Sequence, residues 1–444
     1  MRCRIVFSAL YWGVEDREKR LRDTVAESLA HNTRLRLKIL LDWSRGTRLT
    51  GGESSVTLLS GLQEDPQTAA RCRLAFYQTP QLRGWLGRLL PRKWNELLGL
   101  QHCKVYVFDD TLIISGANLS RDYFTNRQVG SHLQSLSLIT VCLQDRYVVI
   151  EDCKPLADYY EALVDRVSRF SLLLQRNGQL ESSQEFQSVS SSSFVEKSGD
   201  LMREFMRRQR EEQRVDLETE KWDTVIFPTV QMGVFNINQV RQRREDQLTS
   251  SSCQDTEITS EILTAGADQS SYHFATGYFN LTDTFMKNIL EKRSSRYSIL
   301  MAHPEANGFL GAKFPAGGIP HAYTLIARRF WQSLEGRERT RVRMWEFRRP
   351  DWTFHGKGLW YSENLRPCLT MVGSPNFGYR SERRDLESQI VILTRSQDLQ
   401  QRLGEEQEKL YSPAELVTTK TWAEEDRQVP TWVKLVVAFA RKWF

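Results

Sequence analysis

Two widely separated stretches of the chain repeat one pattern, and that repeat limits the folds open to it. The first is His102-Cys103-Lys104, followed by the apolar run Val105-Tyr106-Val107-Phe108, then Asp109 and the small-residue turn Ser115-Gly116-Ala117-Asn118. The second is His355-Gly356-Lys357, followed by Gly373-Ser374-Pro375-Asn376-Phe377-Gly378. One H-x-K carries no information. Two of them, each leading through strand-like residues to a small-residue turn with Asn, mark an internal duplication. Side chains along a strand repeat every two residues, so each His and Lys of a pair faces the same way.

The surrounding chain supports the duplication. A buried strand at 4–13, a charged amphipathic helix at 15–31 and a strand at 35–42 precede the first motif. Strands at 272–279 and 297–303 and a lead-in at 341–347 precede the second, and 389–393 follows it. The expected fold class is α/β: two sandwich halves related by a pseudo-twofold, with the active site at their interface. Residues 1–175 form the first half and 222–430 the second. Between them, 176–221 reads as a polar linker and exposed helix, because it has the serine run 190–193 and then a charge-dense stretch. The tail 431–444 is short, apolar, basic and aromatic-edged, which suits either an interfacial helix on an anionic bilayer or a docked terminal helix. Trp85, Leu89, Leu90 and Trp94 allow the same two readings, core packing being the plainer one.

Two halves brought face to face would surround a small volume with two imidazoles, two ammonium groups and two amides. That volume suits a phosphodiester. Lys104, Lys357, Asn118 and Asn376 would neutralise charge growing on phosphoryl oxygens; one imidazole would attack phosphorus and the other would protonate the leaving oxygen. The lysines supply the positive charge, so no metal and no cofactor is expected. A formal charge of +6 favours anionic partners such as a phospholipid surface, a nucleotide or nucleic acid. Seven cysteines without a C-x-x-C argue for reduced thiols rather than a disulfide framework or a zinc site. No run of eighteen apolar residues is present to span a membrane.

The doubled motif resembles the HKD motif of the phospholipase D superfamily. Further segments narrow the resemblance: the stretch 112–128 around Ser115-Gly116-Ala117-Asn118, Phe227-Pro-Thr-Val-Gln-Met-Gly233, Thr276-Gly-Tyr-Phe-Asn-Leu-Thr282 and Gly373-Ser-Pro-Asn-Phe-Gly-Tyr-Arg380. These are similar, over nearly the whole chain, to the eukaryotic family of CDP-diacylglycerol–glycerol-3-phosphate 3-phosphatidyltransferases of mitochondria. The resemblance implies CDP-diacylglycerol and glycerol 3-phosphate as substrates, a phosphatidyl-histidine intermediate, and a product on the way to phosphatidylglycerol and cardiolipin. It also implies a mitochondrial location with peripheral contact to an anionic membrane, and no nucleic acid partner. A targeting segment would be expected ahead of the first strand and is not seen.

By the same resemblance Ser374 and Arg380 join the substrate-binding set. Arg380, Arg383 or Arg384 would hold the acceptor's second phosphate, surface pairing with Glu382 and Asp385 being the alternative. The family pattern carries an Asp five residues after the lysine, thought to support the partner histidine. Asp109 fills that place in the first half, Ser362 in the second, and the asymmetry favours His102 as nucleophile and His355 as general acid and base. Superfamily members also place an acid eleven residues after the turn Asn, where it supports the opposite histidine. Glu387 fits; the first half has Val129 there instead. Removing 129–144 would bring Asp145 to that offset, so 129–144 is expected to be an insertion, with a similar interruption at 240–254. Two rival readings stand beside the transferase. One is a phospholipase D-type hydrolase; the other is a catalytically silent lipid-binding form disabled by the 129–144 insertion.

Overall fold

The computed structural model describes residues 3–83, 95–96, 98–121, 123, 139–141, 145–212, 222–235, 254–350 and 352–443. The stretch 84–94 with its tryptophans, most of 129–144 and nearly all of 240–254 lie outside the described residues. The first half contains β1 (Arg4–Ser8), α1 (Asp16–His31), β2 (Arg36–Asp42), β3 (Cys72–Tyr77), β4 (Val105–Phe108), β5 (Thr111–Ser115), β6 (Ile139–Val141), β7 (Arg146–Ile150), α2 (Lys154–Arg169), β8 (Leu172–Leu174), β9 (Leu180–Ser182) and α3 (Ser191–Glu212). The second half contains β10 (Thr224–Gln231), β11 (Ser271–Thr276), α4 (Asp283–Glu291), β12 (Arg296–Ala302), α5 (Ile319–Ser333), β13 (Val342–Phe347), β14 (Gly358–Ser362), β15 (Leu369–Gly373), β16 (Glu387–Thr394), α6 (Gln397–Tyr411), β17 (Ala414–Leu416) and α7 (Thr431–Ala440).

Among the described residues the first sheet runs β6-β7-β5-β4-β1-β2-β3-β8-β9 and the second β10-β16-β15-β14-β11-β12-β13-β17. Laid side by side, the two orders match strand for strand, β9 alone lacking a counterpart. In each, three parallel strands (β1-β2-β3 and β11-β12-β13) continue into an antiparallel set that begins at the motif strand, β4 or β14. The fold is α/β, and its two halves repeat one topology except at the outer edge, where β6 enters between β5 and β7 but β10 precedes the other strands of its half.

Period-two alternation explains the layering. Along β1 and β2, Phe7, Leu37, Ile39 and Leu41 pack on the outer side with Val25 and Leu29 of α1. Val6 and Leu40 face inward. The largest apolar cluster is shared: Val105, Ile114 and Tyr160 of the first half join Ala275, Trp360 and Ile390 of the second. The halves therefore fold against each other along a continuous core, which fixes the seam where the motifs meet.

Residues 176–221 depart from the expected linker. β9 joins the first sheet, and α3 buries Phe194, Met202, Phe205 and Met206, with Phe205 5.2 Å from Tyr159 of α2. Four apolar side chains on one face dock this helix, while its charge density marks only the opposite, solvated face. β6, inside the expected insertion, pairs with β7 at the sheet edge. Gln254, the last residue of the second expected insertion, bridges to Val230.

Candidate active site

Each motif begins just before the motif strand, at the seam between the halves. His102 donates its backbone N–H to the carbonyl of Leu386 at 2.8 Å, and Leu386 donates in turn to Leu100 at 2.7 Å. This clamps the first motif to the strand that carries Glu387. The His102 ring, 11% exposed at its side chain, lies with Nδ1 2.9 Å from Glu387 Oε2. The other carboxylate oxygen, Oε1, accepts from Ser381 Oγ at 2.9 Å. On the other side of the seam, His355 Nδ1 lies 2.7 Å from Asp145 Oδ2. Each half thus supplies the acid that holds the other half's histidine. A carboxylate at Nδ1 takes that nitrogen's proton in a hydrogen bond and leaves Nε2 for chemistry.

The lysines repeat the arrangement in part, Lys357 Nζ also lying 2.9 Å from His355 Nδ1 and 3.1 Å from its Nε2. Lys104 Nζ donates to the carbonyl of His102 at 2.7 Å, and Lys357 Nζ to the carbonyl of His355 at 2.8 Å. Both are buried. Gly116, in the first small-residue turn, explains why that turn is built from small residues. A methyl group there would sit 2.6 Å from Asp145 Oδ1, closer than real contacts permit, and at a tight 3.1 Å from the carbonyl of Gly373.

No protein-family model matches the chain. The bovine mitochondrial CDP-diacylglycerol–glycerol-3-phosphate 3-phosphatidyltransferase is 38% identical over 474 residues, spanning 99% of this chain and 79% of the bovine protein. The human protein of the same name is 37% identical over 474 residues, with the same shares covered. The chain belongs to this family. A crystal structure of phosphatidylserine synthase from Haemophilus influenzae has the same fold: TM-score 0.68 at 20% identity, over 99% of this chain and 88% of that one.

Burial sets the charges in this phosphatidyltransferase-family site. It pulls His102 below the ordinary imidazole value, Glu387 opposing and Lys104 adding to the shift, so the free ring is neutral with an open lone pair. Glu387 is fully buried, which by itself would raise its carboxyl; His102, Lys104 and Ser374 outweigh that and hold it ionised. Lys104 is pushed down to about 7, first by desolvation and further by Lys357. Burial and a second nearby cation thus bring Lys104 close to deprotonation at neutral pH.

Other candidate residues are distributed unevenly. Asn118 Nδ2 donates to Tyr123 Oη at 2.8 Å, and among the described residues the side-chain oxygens of Asn118 and Asn376 have no hydrogen-bond partner. Ser374 is fully buried and bonded to Ser388 of β16; it steadies Glu387 from behind. Arg380 pairs with Asp385 at 3.1 Å and donates to the Glu96 carbonyl at 2.8 Å.

Asp109 corrects the expectation that it supports a histidine. It lies at the far end of β4 from His102, in the β4–β5 turn at φ +52°, and accepts from the Arg4 backbone N–H at 3.0 Å. A four-residue strand carries it away from the site. The acid that does reach His355 is Asp145.

Two aromatic residues were missed. Tyr123 packs edge-on to His355 with centroids 5.4 Å apart, and Tyr278 does the same from the other side at 5.8 Å. Tyr278 stands four residues after Phe274 of β11 as Tyr11 stands four after Phe7 of β1, so its place in the repeat was the available signal.

Proposed function

We propose that the chain transfers a phosphatidyl group from CDP-diacylglycerol to glycerol 3-phosphate, giving phosphatidylglycerophosphate and CMP. The observation that carries this reading is the crossed pairing of His102 with Glu387 and His355 with Asp145, set in a family whose members bear that activity as their name. His102 Nε2 attacks the phosphatidyl phosphorus, a P–N bond forms, and the P–O bond to CMP breaks as His355 gives its proton to the leaving oxygen. Glycerol 3-phosphate then enters. His355 removes a hydroxyl proton, the oxygen attacks phosphorus, and the P–N bond breaks to restore His102. Lys104 and Lys357 hold the phosphoryl oxygens through both steps, with Asn118 and Asn376 beside them.

Neutral His102, backed by an ionised carboxylate that burial cannot protonate, supports its role as nucleophile. With Asp145 in contact with His355, the expected insertion need not silence the site. Arg380, tied to Asp385, stands at the acceptor end as the group for the second phosphate. The named relatives are mitochondrial. Because the donor substrate is a bilayer lipid, we place the chain peripherally on an anionic membrane, the mitochondrial inner membrane. No helix among the described residues is long and apolar enough to cross a bilayer.

The test is CMP release from CDP-diacylglycerol with and without glycerol 3-phosphate, by this chain and by one lacking 129–144. Release dependent on the acceptor, with a labelled adduct trapped on His102 in its absence, is the expected result. Equal release without acceptor would replace the transferase by a hydrolase, and release by the shortened chain alone would make this a disabled form.

A further inference from the structure

Half of the large apolar side chains exposed on the described surface gather on one face. Seven of the fourteen lie on the 308–318 loop or in the tail, too many for scattered surface residues. In α7, Trp432, Leu435, Val436 and Phe439 follow at i, i+3, i+4 and i+7, one stripe of a helix. That stripe points outward: Phe439 is 88% exposed and Leu435 58%. Val433 and Val437 form the opposite stripe and are buried in the core of the second half. The helix is docked by one apolar face and presents a second. Phe314, 80% exposed, extends the outer face by packing on Trp432 at 5.2 Å.

The tail's own charge has one sign, with Arg441 pairing to Asp283 of α4 at 3.3 Å and the lysines left on the face. Residues 431–444 contain Lys434, Arg441 and Lys442 and no acid, and Lys313 stands beside Phe314. The face also borders both motifs. At its start, Trp432 covers Gly318 where α5 begins, and α5 carries Tyr323, 5.4 Å from the Tyr278 ring that packs on His355. At its end, the Trp443 ring lies 3.5 Å beneath the Arg384 guanidinium, two residues before the carbonyl that binds the His102 backbone.

We infer that the outer stripe of α7 and the 308–318 loop form the seat of this protein on an anionic phospholipid bilayer, beside the active site. The inference rests on the lipid donor substrate proposed above and gives that substrate its route. Lifting two acyl chains into water costs free energy with every methylene. A site held at the bilayer surface takes the headgroup while the chains stay in the membrane, and basic residues around an apolar stripe are what anionic headgroups attract.

The experiment uses the full chain and vesicles of phosphatidylcholine with about one-quarter phosphatidylglycerol. Two double variants are compared with wild type: Leu435→Ser/Phe439→Ser and Lys434→Glu/Lys442→Glu. The serine pair should lower vesicle partitioning about tenfold or more, and the charge reversal should do so only on anionic vesicles. Both should cut CMP release from long-chain CDP-diacylglycerol in vesicles, yet keep release from a monomeric short-chain analogue within about twofold of wild type. Wild-type partitioning by the serine pair overturns the inference. So does an equal loss on both substrates, which would make the stripe part of the folded site. A shift from dimer to monomer in the serine pair, with vesicle binding intact, would instead assign the face to a second copy of the chain. If wild type releases no CMP from either substrate, the transferase reading falls, and the partitioning result still decides this one.

Discussion

The two histidines occupy equivalent places in matching sheets, but the acids behind them are secured in different ways. Glu387 is the first residue of β16, next to the edge strand β10, and both its oxygens are engaged, one by His102 and one by Ser381. Asp145 precedes β7, next to the edge strand β6. Its Oδ1 accepts from the backbone of Arg146 at 2.9 Å. Arg146 is the counterpart of the hydroxyl scaffold on the other side. Only 1% exposed, it reaches across the seam to Glu406 at 2.7 and 2.8 Å, to Thr370 and to the carbonyl of Met371, with its guanidinium 3.9 Å over Trp360. One acid is steadied by a hydroxyl of its own half, the other by the backbone of a neighbour whose side chain is anchored in the opposite half. A duplicated fold can therefore keep two like functions while stabilising them by unlike means, and neither half alone holds a complete histidine–acid pair.

The sharpest break between the sites is removal of each imidazole in turn. His102→Gln should abolish the covalent step and lower CMP release by about 10⁴-fold or more, with no acid-quenched adduct. His355→Gln should lower turnover by about 10²–10⁴-fold, the range for loss of a general acid, while the adduct still forms slowly on His102. Rapid quench with acyl-labelled donor reads both. An adduct that survives in the first variant and vanishes in the second would exchange the two roles.

The anchor comes next. Arg146→Met leaves Glu406 buried without its cation and should destabilise the fold by about 3–5 kcal/mol in urea unfolding. Arg146→Met/Glu406→Leu should recover most of that stability, since no buried charge is then unpaired. Activity should remain about tenfold or more below wild type in the double variant, because Asp145 has lost its tether and His355 its fixed orientation. Full recovery of activity together with stability would show that Arg146 serves the fold alone.

The lysines offer a milder comparison through pH. Lys104 falls from an ordinary 10.5 to about 7, desolvation being the largest cause. A lysine whose folded value is depressed keeps its charge below that value and loses it as pH rises through it. The first-step kcat/KM, which reports the free protein, should therefore fall by up to about tenfold per pH unit above pH 7. Arginine stays charged at any such pH, so Lys104→Arg should flatten that limb even at a lower maximum. An unchanged alkaline limb in the variant would assign it to another group.

These contrasts also separate what the chain's letters carried from what they did not. The repeated H-x-K and small-residue turns led to the repeated order of elements and to both histidines, because strand periodicity is local. Asp145 was reachable only through the register of a repeat interrupted by 129–144. Arg146, one residue further on, was not reachable, since its partners Thr370, Met371 and Glu406 lie more than 220 residues away and nothing local distinguishes it from a surface arginine. The docked face of α3 was hidden for a related reason. Its charged residues outnumber the four apolar ones that decide its packing. Tyr123 and Tyr278 lay inside family-like segments, but contact with His355 arises only when the halves close.

Asp109 gives the smallest expected effect and the cleanest use of the comparison. The downstream motif has Ser362 at the matching place, so an acid there is not needed by both histidines. In the upstream motif its φ of +52° suits Asp and Asn almost equally, and its Oδ1 accepts one backbone N–H, which an asparagine oxygen also accepts. Asp109→Asn should therefore change stability by no more than about 0.5 kcal/mol and kcat by less than about twofold. Asp145→Asn, measured alongside it, keeps the same size of side chain but removes the charge that stabilises protonated His355, and should cost on the order of 10²-fold in kcat. If the two variants fell equally, the turn at the far end of β4 would have to communicate with the site along the strand. The paired result expected here instead places the supporting role on the acid that geometry brings to the imidazole, not on the one that the motif's spacing names.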